Sequence, residues 1–402
     1  MEIQTEKVRL APPARYKLDT AIILLMISTI VLVIWLSLTQ RSTWSAFWPD
    51  YSHMVSNLPD PAAWLRWVLG DISEVAFYKH EFASIGLLAG AYLAYWANRT
   101  GKRWQGFAIS YGSGLWPWLI TSSLIGLLLS NLLWGWTVTA TSWQPTFAAF
   151  VSLPAAMVLM FGGGWKVTIN GAIMGAVLVT PMCLLIVNYV CNPMGLPVVI
   201  GNVSGMAVAS VLAFVLCRYV PSLTQSAIPK APSESPVAPA SKKAPDYGFI
   251  WSLRRVLADF SEAPFFGNEL ASIGLILGAL LAFTLNPMSP AYGSGLLPQL
   301  IGAQALTSAI GVVIWRRQWI QHGWYPTYVP LVSVVPAAIL TYGGSWQVIG
   351  SSALLGALIA PPLARAIAQK LPAWMHAYIG NVISMAISTL VIIPLIGLLI
   401  SE

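Results

Sequence analysis

Eleven apolar runs, each near the length needed to cross a bilayer, set the terms for this chain. They fall at about 20–39, 82–97, 111–134, 145–163, 167–190, 198–217, 269–286, 292–315, 326–344, 346–368 and 377–400. About 20 residues of helix span the hydrocarbon core, whereas barrel strands need only about ten and alternate in polarity. These runs do not alternate, so they predict helices. The chain is 57% hydrophobic and 9% charged, against roughly 25% charged in a soluble domain. In lipid, a spanning backbone must satisfy its own hydrogen bonds. The expected fold is an all-α polytopic membrane protein with about 11 transmembrane helices.

The runs are organised by an internal duplication. LRWVLGDISEVAFYKHEFASIGLLAG (65–90) aligns with LRRVLADFSEAPFFGNELASIGLILG (253–278), and YGSGLWPWLI (111–120) with YGSGLLPQLI (292–301). QPTFAAFVSLPAAMVLMFGGGWKV (144–167) aligns with YPTYVPLVSVVPAAILTYGGSWQV (325–348), and IGNVSGMAVAS (200–210) with IGNVISMAIST (379–389). The division is a polar tail (1–19), a first transmembrane helix (20–40), an external segment (41–63) and repeat one (64–220). A flexible Pro/Ala/Ser/Lys linker (221–247) and repeat two (248–402) complete it. No cleavable signal peptide is evident at the N-terminus.

Each repeat carries five runs, and an odd number of crossings predicts that the second repeat enters from the opposite side. The basic residues agree. With the N-terminus in the cytoplasm, 18 of the 21 lysines and arginines fall in inner loops, and only Arg41, Arg66 and Lys79 fall outside. The basic loop shifts between copies as well. NRTGKRWQG in copy one faces NPMSPA in copy two, whereas WRRQW in copy two faces GWTVTATSW in copy one. The expectation is an inner-membrane protein with inverted five-helix repeats, its N-terminus and linker cytoplasmic and its C-terminus external. A re-entrant YGSG segment, counted twice in each copy, would instead make the repeats parallel.

Several retained residues could carry chemistry. Tyr111, Gly112, Ser113 and Gly114 match Tyr292, Gly293, Ser294 and Gly295, with Pro117 and Pro298 just beyond. Broken helices at matching positions of two halves point to a transporter's substrate site, and the same small residues could serve close helix packing. Asn202 and Asn381 could bind solute or bridge helices. Glu81 and Glu269 open equivalent runs, as coupling sites for a proton or sodium ion or as carboxylates near a helix N-terminus. Asp71 with Glu74 matches Asp259 with Glu262. FGGGW and YGGSW read as turns or helix breaks with an interfacial aromatic. The stretches around 64–80 and 251–268 read as amphipathic segments at the two membrane surfaces.

The net charge of +7 is spread over short loops, which argues against nucleic-acid binding. Walker A, HExxH and GxSxG motifs are missing from the sequence, the four histidines are scattered, and the three cysteines lack metal-ligand spacing. No enzyme activity, catalytic residue, metal or cofactor is expected. The organisation resembles the broad class of inverted-repeat secondary transporters and channels. That resemblance implies a permease for a small polar or anionic solute, working by alternating access. A passive channel for a neutral solute and a non-transport subunit or scaffold of an envelope complex are the other readings. A homo-oligomer or a membrane-complex partner fits each of them.

Overall fold

The structure, a computed structural model, describes residues 47–58, 60–138, 145–226 and 247–400. The expected first span (20–40) and most of the linker lie outside the described residues. Among the described residues every regular element is helical. A short helix α1 (Tyr51–Ser56) leads into repeat one. Repeat one comprises α2 (Pro61–Glu74), α3 (Glu81–Arg99), α4 (Trp116–Trp134), α5 (Leu153–Phe161), α6 (Trp165–Cys191) and α7 (Val198–Tyr219). Repeat two comprises α8 (Phe249–Asp259), α9 (Glu269–Leu285), α10 (Leu297–Ile314), a short α11 (Arg316–His322), α12 (Val334–Tyr342), α13 (Trp346–Ala368) and α14 (Tyr378–Ile400).

Among the described residues, six helices are long and apolar enough to cross a membrane: α4 with its extension to Thr137, α6, α7, α10, α13 and α14. The third run of each copy does not form one long helix. It breaks at Ser152 (φ −134°, ψ −117°) and Ser333 (φ −142°, ψ −82°) into a 3-10 turn and a nine-residue helix. The cause is local. Each serine hydroxyl donates to the carbonyl four residues back, Ala148 or Val329, and Pro154 and Pro336 next in line have no N–H to continue the ladder. FGGGW and YGGSW are the turns after these short helices, with Gly162 at φ 98° and Gly343 at φ 82°. Trp165 and Trp346 beyond them are exposed.

The two repeats meet at a crossing of α3 and α9. A Cβ on Gly86 would come within 2.0 Å of the Gly274 carbonyl oxygen, and one on Gly274 within 2.0 Å of the Gly86 oxygen. One turn away, Gly90 abuts Leu270 (2.2 Å) and Gly278 abuts Phe82 (2.1 Å) by the same measure. Gly86 and Gly274 are sequence equivalents, as are Gly90 and Gly278, and Phe82 and Leu270. The two helices therefore run antiparallel about an internal two-fold axis through the glycine pair. Close backbone approach of this kind suits helices in lipid, where contact area replaces hydrophobic drive.

The amphipathic reading of 64–80 and 251–268 needs correcting in its second half. Exposed residues confine themselves to the start of α2 and α8, while 70–76 and 258–262 are buried throughout. Each helix turns sharply and returns as α3 or α9. Ser73 and Ser84 clamp the first turn through the His80 carbonyl, and Ser261 and Ser272 clamp the second through the Asn268 carbonyl. Lys79, assigned to an outer loop by its sequence position, is in fact 1% exposed.

Candidate functional site

The two turns deliver four carboxylates to the interior. In copy one, Lys79 Nζ pairs with Asp71 and lies 2.6 Å from Glu74 Oε2. Its ammonium sits 3.6 Å from the centre of the Trp67 ring, a cation–π contact. Asp71 Oδ2 also accepts from Asn131 Nδ2 (2.8 Å) and the Thr146 hydroxyl (2.7 Å). In copy two, Arg255 bridges Asp259 (2.9 Å) and Glu262. Asp259 accepts from the Ser308 hydroxyl (2.6 Å), and Glu262 from Trp324 Nε1 (2.7 Å). All six charged groups are at most 5% exposed.

The acids occupy equivalent positions in the two copies, but the cations do not. Lys79 corresponds to Gly267, and Arg255 corresponds to Trp67. The turn needs a left-handed backbone there: φ is 56° at Gly267 and 44° at Lys79. Glycine adopts this at little cost, whereas lysine pays about 1 kcal/mol or more. Copy one accepts that strain to bring its ammonium to the acids. Copy two reaches the same charge balance from one helical face of α8.

The YGSG segments dock on these turns across the two-fold axis. Ser110 N–H donates to the Phe266 carbonyl (3.0 Å), and Ala291 N–H to the Tyr78 carbonyl (2.8 Å), which are equivalent bonds. The Tyr292 hydroxyl donates to Glu74 Oε1 (3.1 Å), and the Tyr111 hydroxyl is hydrogen-bonded to Glu262. Each tyrosine thus ties its copy to the acid pair of the other. Among the described residues, the seven non-glycine residues with positive φ are Phe77, Lys79, Ser110, Tyr111, Phe265, Ala291 and Tyr292. All belong to these turns and docked segments.

The other residues singled out in the sequence take up distinct places. Gly112, Gly114, Gly293 and Gly295 hold φ near 70°, which lets the chain reverse into α4 and α10. The Ser113 and Ser294 hydroxyls accept from the N–H of Leu115 and Leu296, each at 3.2 Å. Glu81 pairs with Arg66 (2.7 Å) and accepts from Trp48 Nε1 (2.8 Å). Glu269 pairs with Arg254 (2.7 Å) and accepts from Phe107 N–H (2.6 Å). The capping acceptors of α3 and α9 are His80 Nδ1 and Asn268 Oδ1, one residue earlier.

Asn202 and Asn381 flank a small cavity between the copies. Asn202 lines it, and Asn381 donates to the hydroxyl of Tyr328, which lines it too (2.9 Å). The cavity volume is about 50 Å³. Its wall is built from equivalent pairs: Phe77 with Phe265, Phe147 with Tyr328, Val199 with Tyr378, Val203 with Val382 and Met206 with Met385. Glu74 is the charged residue of the wall, which holds no Lys, Arg or His among the described residues. The sequence reading missed this wall, although its residues flank the IGNV and PTF/PTY motifs that mark the duplication. No protein-family model and no curated protein matches this sequence.

Proposed function

We propose that this chain is a membrane permease that passes a small polar solute through the central cavity by alternating access between inverted repeats. The observation that carries the reading is the wall itself, made of equivalent residues from both copies around their two-fold axis. Solute sites of inverted-repeat transporters lie at such an interface. The antiparallel crossing of α3 and α9 supports inversion. If α3 crosses the bilayer, the axis lies in the membrane plane and the two repeats face opposite sides. Counting α3, α9 and the two broken third runs with the six long helices and the N-terminal run gives the eleven crossings. With the basic loops taken as cytoplasmic, the N-terminus lies on the cytoplasmic side of an inner membrane in this reading.

On this reading coupling belongs to the buried acids, because the tyrosines of the opposite copy bond to them, whereas Glu81 and Glu269 pair with arginines of their own hairpins. The Tyr292–Glu74 and Tyr111–Glu262 bonds are equivalent ties between copies. Breaking one while keeping the other would open the cavity to one side only. A cysteine placed at Val203, with Cys183, Cys191 and Cys217 replaced, tests the idea. Reaction with a membrane-impermeant thiol reagent is expected from either face of oriented vesicles. A thiol protected from both faces under every condition would turn the reading towards a scaffold.

A further inference from the structure

Two contacts join the repeats on one side of their two-fold axis, and residue changes between the copies remove both from the other side. The hydroxyls of Ser210 on α7 and Tyr378 at the start of α14 are hydrogen-bonded to each other, and both residues are buried. Two turns further along α7, the Arg218 guanidinium lies 5.0 Å from the centre of the Trp374 ring, a cation–π contact. Each contact ties copy one to copy two. The two-fold equivalents of Ser210, Tyr378, Arg218 and Trp374 are Thr389, Val199, Gly397 and Gly195. Valine has no hydroxyl and glycine has neither ring nor cation, so neither contact can form there.

Thr389 carries the trace of that loss. It is fully buried, and its hydroxyl has no hydrogen-bond partner among the described residues, an unfavourable state for a polar group. The side that lacks the contacts holds a cleft of about 420 Å³, whose walls include Gly195, Pro197, Ile200, Tyr342, Thr389 and Ile393. A Cβ added to Gly195 would meet nothing within 4 Å, where copy two places the Trp374 ring. The cleft adjoins the central cavity. Val198 and Ile200 line the cleft, and Val199 between them lines the cavity. On α14, Thr389 lines the cleft, and Met385, one turn back, lines the cavity. Val199 and Thr389 are therefore the threshold between the two spaces.

We propose that the cleft is the outer mouth of the central cavity, that Val199 and Thr389 form its gate, and that the Tyr378–Ser210 bond is the matching inner gate. That solute passes this way rests on the permease reading and its topology, in which α7 starts at the outer face and Arg218 lies at the inner one. The residue differences make the two gates unequal. A hydrogen bond and a cation–π contact between repeats hold the inner gate, and apolar contact alone holds the outer one. Turning inward breaks both polar contacts, and closing the outer gate supplies neither in return. The outward-facing form is therefore the resting one, since the state with more favourable contacts is the more populated.

A cysteine at Val203, in the full chain with Cys183, Cys191 and Cys217 replaced, senses both gates because Val203 lines the cavity. In right-side-out and inside-out vesicles, a membrane-impermeant methanethiosulfonate reagent should modify it about tenfold faster from the outer face. Tyr378→Phe removes only the hydroxyl of the inner gate and should raise the inner rate severalfold. Val199→Tyr gives Thr389 the partner that Ser210 has and should lower the outer rate about tenfold, the effect of one hydrogen bond. Adding Thr389→Val keeps the new ring but removes its partner, and the outer rate should recover. Tyr378→Phe, the mildest change, carries the test even where Val199→Tyr fails to fold. Equal rates from the two faces in the starting chain, or an inner rate that Tyr378→Phe leaves unchanged, overturn the gates while the permease reading stands. A thiol protected from both faces in every variant removes the permease reading and the gates with it.

Discussion

Lys79 and Arg255 show how one charge requirement can be met from two backbones. The acids come from matching positions, but the cations come from opposite ends of the hairpin. Each cation must be long enough to reach from its own position: lysine from the turn, arginine from the helix. Lys79→Gly relieves the left-handed strain yet leaves Asp71 and Glu74 without their cation. A broken buried pair costs about 3–5 kcal/mol, so the expected result is a large fall in melting temperature in detergent. Adding Trp67→Arg to the same chain copies the solution of repeat two and should restore most of the loss. No recovery in the double variant would mean that the two clusters are not interchangeable. Tyr292→Phe removes only the hydroxyl bonded to Glu74, and a loss of about 1–3 kcal/mol is expected. The sequence showed the retained acids but not their cations, since a cation that changes position leaves no aligned pair to notice.

At the scale of elements, most helices were legible because apolar runs and helices share their ends. The run at 198–217 became Val198–Tyr219, and that at 346–368 became Trp346–Ala368. The broken third runs were less so. Hydropathy counts side chains, and the interruption at Ser152 and Ser333 is a backbone event signalled only by serine two residues before proline or, in copy two, three. The α3–α9 crossing left a plainer trace that composition obscures: Gly86 and Gly90 in one copy, Gly274 and Gly278 in the other, four residues apart on one helix face. Pairs of small residues at that spacing mark close helix contacts in lipid. Gly86→Leu would drive a side chain into the Gly274 backbone, which cannot yield as a side-chain tip does. The expected cost exceeds about 3 kcal/mol, read as loss of the monodisperse peak in size-exclusion chromatography. Leucine at Gly101, where an added Cβ meets nothing within 4 Å, serves as the comparison, its cost limited to the strain of φ 65°.

For the whole molecule, the antiparallel crossing and the basic loops are both compatible with the proposed inverted topology, and labelling can test it. Because α3 and α9 run antiparallel, their C-terminal ends point to opposite faces of the pair. The loop after Arg99 and the loop after Leu285 therefore lie on opposite sides, although they are sequence equivalents. The chain then turns at Pro290–Gly295, and α10 carries it back across, which brings Arg316 and Arg317 to the face that holds Lys102 and Arg103. The positive-inside rule expects that grouping if this face is the cytoplasmic one. Single cysteines at Lys102, Arg317 and Met288 in a cysteine-free chain check it, since the native Cys183, Cys191 and Cys217 are buried and can be replaced without changing either loop. Labelling of intact cells with an impermeant maleimide should reach position 288 and spare 102 and 317 until the membrane is opened. Labelling of 102 and 288 from the same side would make the repeats parallel. It would also show that α3 and α9 do not cross the bilayer, because two antiparallel spanning helices cannot end on one face.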